Sequence, residues 1–313
     1  MGDEELRALE QRYLETNDPA DEAALLAERL RRGALSENQL ALAAWLGSEA
    51  ALSVVGGEQA SEAQPPAGVG REALDDWSGR ESRPWLSDFE RFGLEACLRA
   101  TLAVCAWHTI PTWEEVTGRQ ASEVGPGPLG PPPSVEDEDE PNPSELEALR
   151  AWWGPSLEYP IRAYLVARRA ALEATPEHLA VAEEWTTDVN WLERQIDENG
   201  FGPRLRETMM ASWHAAGAAC AELLVEADAE HLARYPDLHE DIRARWKRSA
   251  PERTLAALEG ASYSAILGTL RSTTRSPEEV ARDLQRTLAE HLTPWALGHG
   301  DPLRGPEGLG SEA

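Results

Sequence analysis

Apolar positions along this chain recur at the spacing of an α-helix and not at that of a β-strand. The clearest stripe runs from Leu94 to His108, and its members follow one another at intervals of three, one, three, one, three and three residues. These intervals keep every member on one face of a helix. No window alternates between apolar and polar residues for long enough to indicate a strand. Because Leu and Ala, which supply most of the apolar residues, head the ranking of helix propensity, the pattern predicts an all-α protein.

Signals for the ends of helices recur along the chain. Asp18-Pro19 and Ser276-Pro277 each combine an N-cap residue with a first-turn proline. Ser36 and Gln39 form a capping box, and Pro111 is expected to end or kink the helix that carries the stripe. Short helices with tight turns favour antiparallel neighbours, and no fixed repeat period is present. The predicted fold is an irregular helical bundle or solenoid of antiparallel helical hairpins.

Changes in composition divide the chain. Residues 53–70 are rich in Gly, Ser, Gln and Pro, which predicts a flexible connector. Residues 119–143 hold seven prolines and a run of acidic residues, so they cannot bury apolar surface and are predicted to be a disordered linker. The linker separates an N-terminal helical region over 1–118 from a C-terminal helical domain over 144–295. Residues 296–313 contain many Gly and Pro and are predicted to be a flexible tail.

The charge balance excludes some partners. The chain carries 56 acidic and 29 basic side chains, a net charge of −27. Such a field repels nucleic acid and anionic membrane surfaces, and it attracts a protein partner with a basic surface; the alternative is that it serves solubility. The three cysteines form no disulfide framework, and neither a secretory signal nor a membrane span is evident, so a cytoplasmic location is expected.

Two groups of residues are candidates for chemistry. Cys105 and His108 lie three residues apart in the apolar stripe, where a thiolate–imidazole pair is conceivable but core packing is expected. His231 and His239 have several carboxylates nearby and form the densest group of metal-ligand residues. Pro236 interrupts that segment, and the histidine pair spaced by four residues that zinc hydrolases use is absent. We therefore predict no metal, cofactor or catalytic residue, and keep a metal-dependent hydrolase at His231 and His239 as the alternative.

The residues predicted to bind a partner are aromatic or acidic. Twelve tryptophans are present, and in an Ala-rich protein most of them are expected to fill the core. The pair Trp152 and Trp153 cannot point in one direction on a helix, so one of the two is expected to be exposed as a partner anchor. The second candidate is the acidic run, for which a solvated loop is the alternative. It consists of Glu136, Asp137, Glu138, Asp139 and Glu140.

A first resemblance concerns the N-terminal helices. Residues 20–50 contain Glu28-Arg29-Leu30-Arg31-Arg32-Gly33, followed by Leu42-Ala43-Ala44-Trp45-Leu46-Gly47. This stretch resembles a short helical module found at the front of many bacterial proteins. The resemblance implies a helical fold and assigns no functional residue.

A second resemblance covers residues 94–115 followed by 143–172. A helix ending in Trp113-Glu114-Glu115 precedes a proline-led helix that carries Ala151-Trp152. This pattern is similar to one in immunity proteins of bacterial toxin systems, although the long acidic insertion at 119–143 departs from their compact spacing. The resemblance implies a non-enzymatic binding role. We therefore expect a protein that binds another protein, either as an immunity or inhibitor-type factor or as a structural scaffold.

Overall fold

The computed structural model describes residues 2–56, 84–124, 157–186, 202–234, 240, 243–244 and 247–304. All regular structure in these residues is helical, which confirms the all-α prediction; the arrangement as stacked antiparallel hairpins stays a prediction. The α-helices are α1 (Gly2–Thr16), α2 (Pro19–Arg31), α3 (Glu37–Trp45), α4 (Glu49–Val55), α5 (Pro84–Ser87), α6 (Leu94–Thr117), α7 (Tyr159–Glu173), α8 (Pro176–Glu184), α9 (Gly202–Ala219), α10 (Ala221–Arg234), α11 (Ala250–Ser272) and α12 (Pro277–Ala296). Short 3₁₀ turns cover Asp88–Phe92, Ala121–Glu123 and Pro302–Arg304.

The predicted caps start the helices that they were expected to start. The Asp18 carboxylate accepts a hydrogen bond from the Ala20 amide at 2.8 Å, directly before the first-turn proline of α2. Capping boxes begin α3 at Ser36 and α12 at Ser276. Each cap satisfies amide groups that the first turn of a helix leaves without a partner, so these boundaries depend on neighbours within four residues.

Helix α6 lies at the centre of the protein. Every residue from Ala96 to Cys105 is buried, and α7, α9, α11 and α12 all pack against the helix. The sequence predicts one apolar face for this segment, whereas the structure buries it on all sides, because the other faces carry mainly alanine (Ala96, Ala100 and Ala103), which is small enough for neighbouring helices to approach. None of the described helices combines the length and the apolar character that crossing a membrane requires.

Pro111 does not end α6, contrary to one of the two outcomes predicted for it. The helix continues to Thr117 and stops at Gly118, which has a left-handed φ of 67°. A proline inside a helix costs about 3 kcal/mol, because it removes one hydrogen bond and crowds the preceding turn. Packing of the following turn offsets that loss: Trp113 is fully buried and donates a hydrogen bond to the Leu157 carbonyl at 2.6 Å.

Helices from both sides of the predicted linker contribute to one hydrophobic cluster, since α12 packs against α3 and α6. The start of the linker also differs from the prediction, because Ala121 and Val124 are buried. Residues 125–143 of the linker and 57–70 of the connector lie outside the described residues.

Part of the predicted tail is anchored to the helical core, at Asp301 and Leu303. Leu303 is buried, and its carbonyl accepts a hydrogen bond from Arg168 of α7 at 2.6 Å. The Asp301 carboxylate pairs with the buried Arg99 of α6 at 2.8 Å. Buried guanidinium groups need acceptors, and this segment supplies them, which explains why a Gly- and Pro-rich sequence is held in place.

Candidate functional site

The residues predicted to bind a partner are not among those that the structure describes. Trp152, Trp153 and the acidic run from Glu136 to Glu140 lie outside the described residues, so their roles stay predictions. His239 lies outside them as well, and His231 belongs to α10 but its side chain is not among those described. Within the described part of the chain, no group of three or more His, Cys, Asp or Glu side chains is arranged to hold a metal ion.

Cys105 and His108 are core residues, as the apolar stripe predicts. The Cys105 thiol donates a hydrogen bond to the Ala211 carbonyl at 3.1 Å, and burial raises its pKa. Burial lowers the pKa of His108 to about 4, with a smaller contribution from the Arg204 charge. Both side chains are therefore neutral near pH 7, and the thiol contacts a carbonyl oxygen and is not activated by the imidazole.

One feature of the described surface that is suited to binding is a groove, which we name the α3–α12 groove. It lies where the end of α3, the α5 segment and the middle of α12 meet, and it encloses about 550 Å³. This volume lies within the range of small-molecule and cofactor sites. The groove is lined by Trp45, Leu46, Gly47, Trp85, Phe89, Arg282, Gln285, Arg286, Leu288 and Ala289.

Aromatic rings form the apolar side of the groove. Trp45 packs edge-to-face against Phe89 with ring centroids 5.1 Å apart, and Phe92 lies behind both rings. Trp85 and Phe89 are almost completely buried, at 2% and 0% exposure. Because each ring is held by its neighbours, this apolar surface is formed before any ligand arrives.

A helix end keeps the groove open beside Leu46. The Gly47 amide bonds to the Ala44 carbonyl and the Ser48 amide to the Ala43 carbonyl, both at 3.0 Å, which is the Schellman pattern of a helix C-terminus. Gly47 has a φ of 100°, a conformation that side chains with a Cβ rarely adopt. The chain therefore turns away sharply, and a Cβ at Gly47 would meet no atom within 4 Å.

The opposite wall is polar and basic. Arg282, Gln285, Arg286 and Ala289 are spaced by three, one and three residues, which places them on one face of α12 next to its buried face. Arg286 donates a hydrogen bond to Asp283 at 2.7 Å, and its side chain is 66% exposed. None of the described residues that line the groove is acidic, although the chain as a whole has a net charge of −27.

One polar atom of the lining has no partner. The indole N–H of Trp85 is buried and has no hydrogen-bond acceptor in the described part of the chain. A buried donor without an acceptor costs about 1–3 kcal/mol, so its presence requires an explanation. The two arginines and Gln285 make the polar part of this groove rich in hydrogen-bond donors.

The sequence pattern does not predict this groove. Most of the twelve tryptophans are expected to fill the core, and the arginines of α12 receive no predicted role. The lining comes from three segments, 45–47, 85–89 and 282–289, and no local pattern connects them. The only available signal was the second stripe of α12, at residues 282, 285, 286 and 289, beside its buried stripe.

Comparisons of the chain with protein-family models, with curated proteins and with solved structures find no match.

Proposed function

We propose that this protein is a non-catalytic binding protein that holds a segment of a partner protein in the α3–α12 groove. The observation that carries the proposal is a preformed, open groove whose apolar lining combines Leu46, Leu288 and Ala289 with the buried rings of Trp45, Trp85 and Phe89. Aromatic residues in rigid pockets contribute a large share of the binding energy at protein interfaces. Because the rings are already packed, a partner segment loses little free energy in ordering them.

The rest of the described surface supports this choice. Among the described residues, Leu14 is the one large apolar side chain that is mostly exposed, at 75%. A single exposed leucine is ordinary, whereas a concave apolar surface rimmed by polar residues marks a binding site. The groove is therefore the surface that we assign to a partner.

The wall formed by α12 indicates how the partner binds. One helix lying along another in a hydrophobic groove is a common mode of peptide recognition, with apolar anchors at helical spacing. The partner segment is therefore an amphipathic helix that places its apolar face on the apolar lining of the groove. Binding of this kind needs neither a nucleophile nor a metal ion.

An immunity or inhibitor-type role is one form of this function, and the similarity of residues 94–115 and 143–172 to immunity proteins supports it. A structural scaffold is the other form, and the two differ in whether the partner loses its activity on binding. The net charge of −27 favours a partner whose overall surface is basic, since long-range attraction then accelerates the encounter.

The test uses two matched substitutions on α12. A partner is first identified by co-purification from the native host and then titrated, as pure protein, against the full-length chain and its variants. Ala289→Trp places an indole in the groove, whereas Glu290→Trp places the same side chain on the next residue, which is exposed and outside the groove. We expect Ala289→Trp to weaken binding at least tenfold and Glu290→Trp to change it less than threefold.

Equal binding by the two variants, with circular dichroism spectra like that of the unmodified protein, would show that the partner binds elsewhere. The proposal would then be wrong for this groove. Loss of partner activity at saturating protein would assign the inhibitor form, and unchanged activity would assign the scaffold form.

A further inference from the structure

We infer that the segment held in the α3–α12 groove carries a carboxylate next to its apolar anchor, and that Arg282 and Arg286 bind this carboxylate. The inference rests on the proposed function and specifies the chemistry of the partner. Its basis is the contrast between a lining that offers donors and positive charge and a chain that is otherwise strongly acidic.

The hydrogen-bonding groups of the lining are unbalanced. The guanidinium groups of Arg282 and Arg286 and the Gln285 amide provide donors, and the Gln285 side-chain oxygen is the one side-chain acceptor among the described lining residues. A carboxylate offers about four acceptor positions and no donor, so it complements this set better than any other side chain.

Arg286 keeps donors available for a ligand. Its Nη2 bonds to Asp283 at 2.7 Å, while its Nε lies 3.9 Å from Glu290, beyond hydrogen-bonding distance. A guanidinium has five N–H groups, and the side chain is 66% exposed. It can therefore bind a second carboxylate without giving up Asp283, in the paired geometry that guanidinium groups and carboxylates share.

The spacing of the two arginines matches a helical partner. Four residues separate Arg282 from Arg286, so their Cα atoms lie about 6 Å apart along the axis of α12. Acidic residues at the same spacing on an opposing helix, beside its apolar face, meet both cations. A basic segment in this position would place like charges together at the edge of an apolar surface, where screening by water is reduced.

The net charge of the chain does not prevent this contact. Repulsion between an acidic segment and the distant carboxylates is largely screened beyond about 8 Å at physiological ionic strength. The contact with the arginines is shorter than that distance, so the local attraction decides binding once the segment has arrived. The overall charge then governs the rate of encounter, and the groove selects the inserted segment.

The test is a selection from a displayed library of peptides about 20 residues long, with apolar residues fixed at helical spacing and all flanking positions randomised. The full-length protein is the target. Peptides that also bind the Ala289→Trp variant are discarded, because they bind outside the groove, and those that remain are called groove-dependent. We expect Asp or Glu to be enriched at one or two flanking positions. A selected peptide should bind the Arg282→Ala/Arg286→Ala variant at least tenfold more weakly than it binds the unmodified protein. An analogue of that peptide with Asp changed to Asn or Glu changed to Gln should bind the unmodified protein at least tenfold more weakly than the original peptide does.

The control variant is Arg31→Ala/Arg169→Ala, which changes the net charge equally at two exposed arginines of α2 and α7. It should bind the selected peptides as the unmodified protein does. Groove-dependent peptides without acidic enrichment, bound equally by the Arg282→Ala/Arg286→Ala variant, would overturn the carboxylate inference and leave the proposed function intact. Failure to select any groove-dependent peptide would overturn both.

A second copy of the chain is the remaining occupant to distinguish. Sedimentation equilibrium of the unmodified protein should show no dimer that Ala289→Trp dissociates. A dimer with that behaviour would assign the groove to self-association and overturn the inference.

Discussion

Replacing Gly268 with alanine would put a methyl group where the imidazole of His108 lies. Gly268 is on α11, and the ring of His108, from α6, packs directly against its backbone. A Cβ at Gly268 would lie 2.5 Å from Cε1 and 2.6 Å from Nε2 of that ring, and 3.2 Å from the Cβ of Glu207. Because His108 is only 3% exposed, the ring cannot swing into solvent to make room.

The expected magnitude is a balance of two effects. Alanine is favoured over glycine inside a helix by about 1 kcal/mol. Inserting a methyl group into a packed core costs about 1–3 kcal/mol, and the upper end applies here because the clash is with a buried ring flanked by a second helix. We therefore expect Gly268→Ala to lower the free energy of unfolding by about 2 kcal/mol.

Urea denaturation followed by far-ultraviolet circular dichroism measures this change, and α9 offers a matched control. At Gly217 a Cβ would meet nothing nearer than the Thr186 methyl group at 3.9 Å, so Gly217→Ala should raise stability by about 0.5–1 kcal/mol. In a double-mutant cycle, Gly268→Ala should cost much less when His108 is already alanine. If Gly268→Ala were as stabilising as Gly217→Ala, the close packing of α11 on α6 would be refuted.

Three further predictions concern acid stability, the packed tail and the charge of the chain. The pKa of His108 is about 4 in the folded protein and near 6.5 when unfolded, so the unfolded state binds more protons between these values. The free energy of unfolding should consequently fall by about 3 kcal/mol as pH drops from 6.5 to 4. In urea titrations at a series of pH values, His108→Gln should remove this contribution to the dependence of the free energy of unfolding on pH. Asp301→Asn leaves the buried Arg99 without one of its two carboxylate partners and should lower the free energy of unfolding by about 2 kcal/mol in urea melts. Arg304→Ala removes an exposed ion pair with an N–O distance of 3.7 Å, so it should change the free energy of unfolding by less than about 0.5 kcal/mol. If Arg304→Ala and Asp301→Asn had equal effects, the packing of this segment would be contradicted. In stopped-flow kinetics with a partner that has a basic surface, association should slow as salt rises, and neutralising the run from Glu136 to Glu140 should slow it further; salt-independent association would leave the charge a solubility feature.

Helix positions could be predicted from the sequence because they depend on interactions within about four residues. The caps at Asp18, Ser36 and Ser276 satisfy amide groups of their own helix, and the structure confirms all three. Pro111 shows the limit of such local reasoning, because, of its two predicted outcomes, a helix end or a kink, the helix end is wrong. The rule that proline ends a helix assumes that the next turn has nothing to gain from continuing, whereas here burial of Trp113 outweighs the lost hydrogen bond.

The sequence by itself therefore determined the all-α class, the starts of α2, α3 and α12 and the burial of Cys105 and His108, because propensity, capping and apolar spacing are local properties. Only the tertiary structure decided that residues 297–304 pack and that a groove opens between α3 and α12. Arg168 is 135 residues from the carbonyl that it contacts, and the groove joins segments near residues 45, 85 and 285. Contacts over such separations depend on how helices pack against one another, and helical periodicity specifies which face is buried but not which helix covers it.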